Sequence, residues 1–267
     1  MATTALQDGH RTLYHWQSFD EARLRPLLEQ NKLYCSRPSD FNDPWDCKPF
    51  FNSDVLNDPI ELKRHITWAI DLCRSRTTMS ETDIAQMAHT LANDSTKAIE
   101  IIGKLSIDLS HAISQKHRIY CLGPDIQSQL MWSHYGNKHK GICLQYDLRN
   151  TVMCAALKCS YTPTFPLTKA YDNSEESDLQ LLLTKSDAWL YENEYRLIAT
   201  EREFVHDPDL LTSTNGMIDL PNGALKAIIV GCEGDFDHIQ QFVTAINPTL
   251  EVKRALRIPN KYELTIV

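Results

Sequence analysis

The sequence predicts an α+β protein with a mixed, mainly antiparallel sheet and a helical insertion. Runs rich in β-branched and aromatic residues fill the first 50 positions and the second half of the chain. Between them, from about 59 to 115, apolar residues recur at helical rather than alternating spacing. No stretch of linker composition separates the two patterns, so residues 1–267 read as one α+β domain with a helical segment at about 59–115. The 267 residues, 42% of them hydrophobic, suffice for a substantial core.

Taken in order, TLYHWQSF reads as a first strand, on which alternation turns Tyr14 and Trp16 to one face and His15 to the other. Asp20 to Gln30 is helical, with Leu24, Leu27 and Leu28 on one side and Pro26 making the helix short or late-starting. KLYCS is a second strand, and RPSDFNDPWD is an ordered loop crowded with turn formers. In the helical segment Ile60, Leu62, Ile66, Ile70 and Leu72 form one apolar series, and Ile84, Met87, Ala88 and Leu91 a second. Ser80 followed by Asp83 resembles a capping box and sets a helix start near 81. Strands resume with HRIYCLG, KGICLQYDL, ALKCSYT, EYRLIAT, GMIDLP, ALKAIIVGC and LEVKRALRI, with helices around 178–190 and 235–246. The acidic stretch DNSEESD at 172–178 reads as a solvated loop.

Composition narrows the function. A net charge of −8 disfavours nonspecific binding to phosphate backbones. No apolar run approaches the roughly 18 residues that cross a bilayer, and MATTALQDGH has neither a basic nor an apolar leader region. The eight cysteines are scattered without a CxxC pair, which argues against zinc and for reduced, structural thiols in a cytoplasmic setting.

Chemistry-bearing side chains gather in four places. The first is Tyr14, His15 and Trp16, where His15 is either a satisfied structural histidine or a donor to a ligand hydroxyl or phosphate. The second is Ser36, Arg37, Ser39, Asp40, Asn42, Asp43 and Asp46 around Phe41 and Trp45; these polar groups either cap turns or offer oxygens to a hard cation, although without EF-hand spacing. MWSHYGNKHKGICLQYD is the third, and brings Trp132, His134, Tyr135 and His139 ahead of an apolar strand. It lacks zincin spacing, and the chain has neither a GxSxG elbow nor a P-loop, which leaves stacking on a base or nicotinamide ring against plain core packing. The fourth is KSDAWLYENEYRLI, where Glu192, Glu194 and Arg196 would share one face of an incoming strand. Two carboxylates so placed raise the cost of ionising both unless Arg196 or a ligand compensates, and a structural salt bridge accounts for the same pattern.

LYHW, LYCSRPSDFNDPWD, MWSHYGNKHKGICLQYD, the Lys185–Arg196 run and ALKAIIVG together resemble a bacterial family catalogued only as a domain of unknown function. A more distant likeness is to ADP-ribosyltransferases, whose split sheet carries a histidine or arginine on a first strand, a serine or tyrosine element on the next, and a late glutamate. His15 is similar to the first element, LYCSRPS with Ser36 and Ser39 to the second, and Glu192-Asn193-Glu194 to the third. That resemblance implies a split sheet and NAD as substrate. It implies Glu194 as the carboxylate that stabilises an oxocarbenium-like ribosyl cation, Glu192 as the group that orients or deprotonates an acceptor, and His15 as a partner of the adenosine-side ribose. Tyr34, Trp45 or Tyr135 would cover the nicotinamide, and Tyr14, Ser36, Ser39, Asn42, His134 and Arg196 complete the implied NAD-contacting set. The second element departs from the pattern in lacking its tyrosine, whose surface Phe41 or Trp45 would have to supply; the helical insertion is likewise not implied.

The leading expectation is therefore NAD-dependent ADP-ribosyl transfer to a protein, nucleic acid or nucleotide, or NAD glycohydrolysis, in a toxin or phage-defence setting by class analogy. A non-catalytic nucleotide- or protein-binding module is the alternative. A metal-dependent nuclease using Asp40, Asp43, Asp46 and a late glutamate is the third, and needs converging carboxylates.

Overall fold

A computed structural model describes the chain except for residues 1, 49–55, 77–78, 166–168, 170, 172–174, 206 and 208. In chain order the elements are β1 (Thr12–Gln17), α1 (Glu21–Gln30), β2 (Lys32–Tyr34), α2 (Pro59–Arg76), α3 (Glu81–Asn93), α4 (Ser95–Lys116), β3 (His117–Leu122), α5 (Gln129–His134) and β4 (Ile142–Asp147). There follow β5 (Leu157–Lys158), β6 (Ser160–Thr162), α6 (Glu175–Leu183), β7 (Thr184–Ser186), β8 (Tyr195–Glu201), β9 (Thr212–Ser213), β10 (Met217–Asp219), β11 (Leu225–Val230), α7 (Phe236–Ile246), β12 (Glu251–Arg257) and β13 (Leu264–Ile266). This is an α+β fold with mainly antiparallel sheets, as the sequence predicts. The chain forms two compact units: residues 1–37, 117–161 and 187–267 build the first, and residues 38–116 and 162–186 the second.

The first unit holds a five-stranded sheet in the order β1-β4-β11-β12-β13 and a second sheet in the order β3-β8-β5. In the five-stranded sheet only β11 and β12 run parallel, and the helix α7 makes the crossover that a parallel pair requires. Strand β3 pairs with β8 along one edge, Cys121 opposite Arg196. Its other edge meets two short partners: Ser36 exchanges both backbone hydrogen bonds with Ile119, and Tyr14 does the same with Gly123 just beyond the strand. β1 then runs on to pair with β4, His15 opposite Leu144, so this pair of residues links the two sheets before they part.

Local signals explain the elements. Asp20 caps α1 by accepting from the Arg23 amide, and Leu24, Leu27 and Leu28 are buried as expected. Pro26 does not delay that helix. It sits as the sixth of ten residues, and only the bond its nitrogen would have donated is missing. Tyr14 and Trp16 pack into one apolar cluster with Trp132, while His15 stacks on Tyr120, the alternation read from the sequence. DNSEESD is not a loop throughout: 172–174 lie outside the described residues, and α6 starts at Glu175.

The second unit is centred on α2, α3 and α4, whose core is Leu56, Ala69, Leu91, Ala98 and Ile102 with Leu62, Ile66 and Met87 against it. Ser80 caps α3 as its spacing predicts, accepting from the Asp83 amide and donating to the Asp83 carboxylate at 2.7 Å. Ile60 leaves the apolar stripe and is exposed, Ala69 taking the buried place one turn along from Ile66. None of the eight cysteines is in a disulfide.

Candidate functional site

The candidate residues of the first unit are strung along β3 and its neighbours. His15 sits on β1 with Nδ1 donating to the Cys121 carbonyl at 2.8 Å, which fixes the tautomer and leaves Nε2 as an acceptor. Its ring lies on Tyr120 with centroids 4.1 Å apart, and burial lowers its pKa to about 4, so the imidazole is neutral at pH 7. One residue back, burial raises the Tyr14 phenol, helped by Cys143 and Asp125. Gly123 fits tightly here: a Cβ on it would come within 3.1 Å of the Trp16 ring and 3.4 Å of the Glu192 carbonyl. Hence the bridge that joins the sheets also brings β1 next to Glu192.

Glu192 is not on the incoming strand that the sequence suggests. It ends a 3-10 turn over Asp187–Glu192; Asn193, at φ 43°, turns the chain through the left-handed region, and β8 begins at Tyr195. The two glutamates consequently meet different groups, although both are buried at 3% and 2% exposure. Glu192 accepts the Tyr135 hydroxyl at 2.7 Å. Glu194 grips Arg196 through both carboxylate oxygens, Nε to Oε1 at 2.8 Å and a second guanidinium nitrogen to Oε2 at 3.1 Å, and its amide donates to the Tyr161 hydroxyl. Arg196 is wholly buried, so this pair sits in a low-dielectric setting where each charge depends on the other.

Beside Glu192 the surface is aromatic. Exposed His134, at the end of α5, lies 6.3 to 6.4 Å by ring centroids from Tyr135, Trp189 and Tyr191, and Trp189 lies 6.1 Å from Tyr191. α5 is aimed by its Ser128 cap and by Trp132, whose Nε1 donates to the Ile126 carbonyl at 2.8 Å. Tyr135 belongs to this group of rings and also donates to Glu192, and electron-rich ring faces suit a cationic or electron-poor ring.

Other candidates lie elsewhere. Ser36 is half-buried at the far edge of β3, and Tyr34 lines a separate pocket near Arg118 and Glu201, at the opposite end of that strand from Gly123. Ser39, Asn42 and Trp45 belong to the second unit. There Asp43 accepts the Trp45 amide at 2.9 Å, Asp46 pairs with Lys185 at 3.6 Å, and Asp40 accepts from the Ser39 hydroxyl. The Asp43 bond is the turn-capping role open to such a loop, the other two are contacts between side chains, and Trp45 is left 66% exposed. Among the described residues no three His, Cys, Asp or Glu side chains converge as metal ligands would.

Sequence reasoning missed Arg118 and Glu201. They form a buried pair at 2.9 Å, and Glu201 also accepts the Asn215 and Gly216 amides. The available signal was a charged residue near the end of each of two largely apolar strands, Arg118 in HRIYCL and Glu201 in YRLIATE.

Fold and site together define an α+β protein with a buried Glu–Arg pair and a carboxylate bonded to Tyr135 near the bridge between two mainly antiparallel sheets. Over residues 131–197 the chain matches the model of a family described as "Protein of unknown function (DUF2971)", the uncharacterised kind of family its motifs resemble. That span runs from α5 into β8 and contains His134, Tyr135, Glu192, Glu194 and Arg196. No curated protein and no solved structure matches the chain. Among the described residues no helix is long and apolar enough to cross a membrane.

Proposed function

We propose that the first unit binds NAD and cleaves its nicotinamide–ribose bond, passing ADP-ribose to water or to an acceptor. The observation that carries this reading is Glu192, a buried carboxylate held by Tyr135 beside the rings of His134, Trp189 and Tyr191. Nicotinamide in NAD is a cationic ring, which such faces favour, and its departure leaves positive charge on the ribose that a fixed carboxylate stabilises. The carbon–nitrogen bond breaks with its electron pair going to the ring nitrogen, and an acceptor oxygen bonds to the ribose carbon while losing its proton.

Glu192 is our candidate for that charge because Tyr135, next to His134 in the chain, donates to its carboxylate, whereas Glu194 grips Arg196 through both oxygens. Glu194 and Arg196 then act as positioning residues that hold the start of β8. His15, neutral and hydrogen-bonded to the Cys121 carbonyl and the Gln17 side chain, would meet a ribose hydroxyl by exchanging the Gln17 contact. The engagement of Glu194 is also the observation that favours the second reading, a module that binds a nucleotide without turning it over.

One experiment separates the two. The protein is mixed with NAD and followed by NMR for saturation transfer to the cofactor and for free nicotinamide. Release that disappears in Glu192→Gln supports cleavage; saturation transfer without release, unchanged by added acceptor proteins or nucleic acid, supports the binding module; neither signal overturns both. The metal-dependent nuclease needs a carboxylate triad that the described residues do not assemble.

A further inference from the structure

At the other end of β3 from Glu192, a pocket of about 400 Å³ opens between the residues around Tyr34 and those that follow β8. Three arginines line it: Arg37, Arg118 and Arg202. Arg118 is buried and its Nε donates to Glu201 at 2.9 Å. The same carboxylate is held by the Gly216 amide at 2.6 Å and the Asn215 amide at 3.0 Å, so its charge is spent inside the protein rather than on the cavity. Arg37 and Arg202 are exposed and form no ion pair with another described residue. Glu203 is the remaining acidic group of the wall, against two arginines without a carboxylate partner. In a chain of net charge −8, that is a local excess of positive charge.

Tyr34 adds a ring to this wall and is 43% exposed. It is backed by Gly216, whose φ is +77°; a Cβ there would stand 2.9 Å from the Tyr34 ring and 3.2 Å from the Cys35 carbonyl. Both the left-handed backbone and the close approach require glycine, so the turn is shaped to the ring. Glu201 anchors that turn from beneath. The buried Arg118–Glu201 pair thus fixes the floor, and two planar guanidinium groups and one aromatic face remain for a ligand.

We propose that this pocket binds a nucleotide phosphate, its phosphate oxygens taken by Arg37 and Arg202 and its base stacked on Tyr34. Guanidinium groups match phosphate geometry in a bidentate way, and an aromatic face accepts any base. The site is independent of NAD cleavage, since none of its residues touches Glu192 or the rings beside it among the contacts described above.

The test is calorimetric titration of the whole protein with ADP, adenosine and inorganic pyrophosphate, none of which carries nicotinamide. ADP is expected to bind at least about tenfold more tightly than adenosine, and to weaken as salt is raised. The double variant Arg37→Ala/Arg202→Ala should raise the ADP Kd at least tenfold with an unchanged melting temperature, and Tyr34→Ala should weaken ADP but not pyrophosphate. No binding of ADP at millimolar concentration, or binding that survives the double variant, would overturn the site. Equal affinity for ADP and pyrophosphate that ignores Tyr34→Ala would overturn its assignment to a nucleotide. Loss of ADP binding in Glu192→Gln with retention in the arginine variant would place the ligand at the other end of β3 and overturn it as well.

Discussion

Three side chains test the proposed chemistry at the level of single residues. Glu192→Gln keeps shape and the Tyr135 contact but removes the charge, so nicotinamide release should fall by at least about a hundredfold with little change in melting temperature. Glu194→Gln should do the opposite of a clean catalytic knock-out. It leaves Arg196 charged and buried, and a loss of about 3 kcal/mol in urea unfolding is expected. His15 gives the pH dependence. Its folded pKa of about 4 lies below that of an exposed histidine, so the protein gains its full contribution above the unfolded value, near ~6.5, and loses it as pH falls from there through about 4. That part amounts to roughly 3 kcal/mol, and unfolding curves at pH 7 and pH 4.5 for the wild type and His15→Gln should show the variant less sensitive to acid. The placement of Tyr14, His15 and Trp16 was legible from alternation alone. The divergence of Glu192 from Glu194 was not, because Asn193 takes a left-handed conformation that no glycine advertises.

Among the elements, the turn after α5 is the most unusual. Asn137, Lys138 and His139 take positive φ in succession, at 48°, 55° and 65°, a short left-handed turn closed by the Gly141 amide on the Gly136 carbonyl at 2.8 Å. The His139 ring lies parallel to Trp132, and a Cβ on Gly141 would stand 2.3 Å from the Gln17 carbonyl. Lys138→Gly removes the Cβ clash of that conformation and should raise stability by about 1 kcal/mol by urea titration. Gly141→Ala should cost on the order of 3 kcal/mol, since the backbone of β1 blocks the new methyl group. Gly136 and Gly141 bracket this stretch as turn formers, but nothing in the sequence gives its hand. The Ser80 cap was easier: it bonds to its own helix, so local sequence carries the signal. Pro26 leaves the helix short, at ten residues, without delaying its start, since Leu24, Leu27 and Leu28 are buried on either side of it.

For the whole molecule, the fold class was legible because strand and helix periodicities occupy different stretches of chain. Strand order was not, because it depends on pairings such as β1 with β4 that span more than 120 residues. Deleting residues 1–19 removes β1, the neighbour of β4 and the link to β3; loss of near-ultraviolet circular dichroism, not a modest shift in melting, is the expected result. The same pairing gives the five-stranded sheet a built-in clock. Cys143 lies on β4 with β1 on one side and β11 on the other, its thiol wholly buried and raised well above the ordinary range by that burial. Alkylating reagents attack the thiolate, so Cys143 can react only in molecules whose sheet has come apart. Its labelling rate under native conditions counts those openings, and any ligand that grips β1 against Gly123 should slow the count.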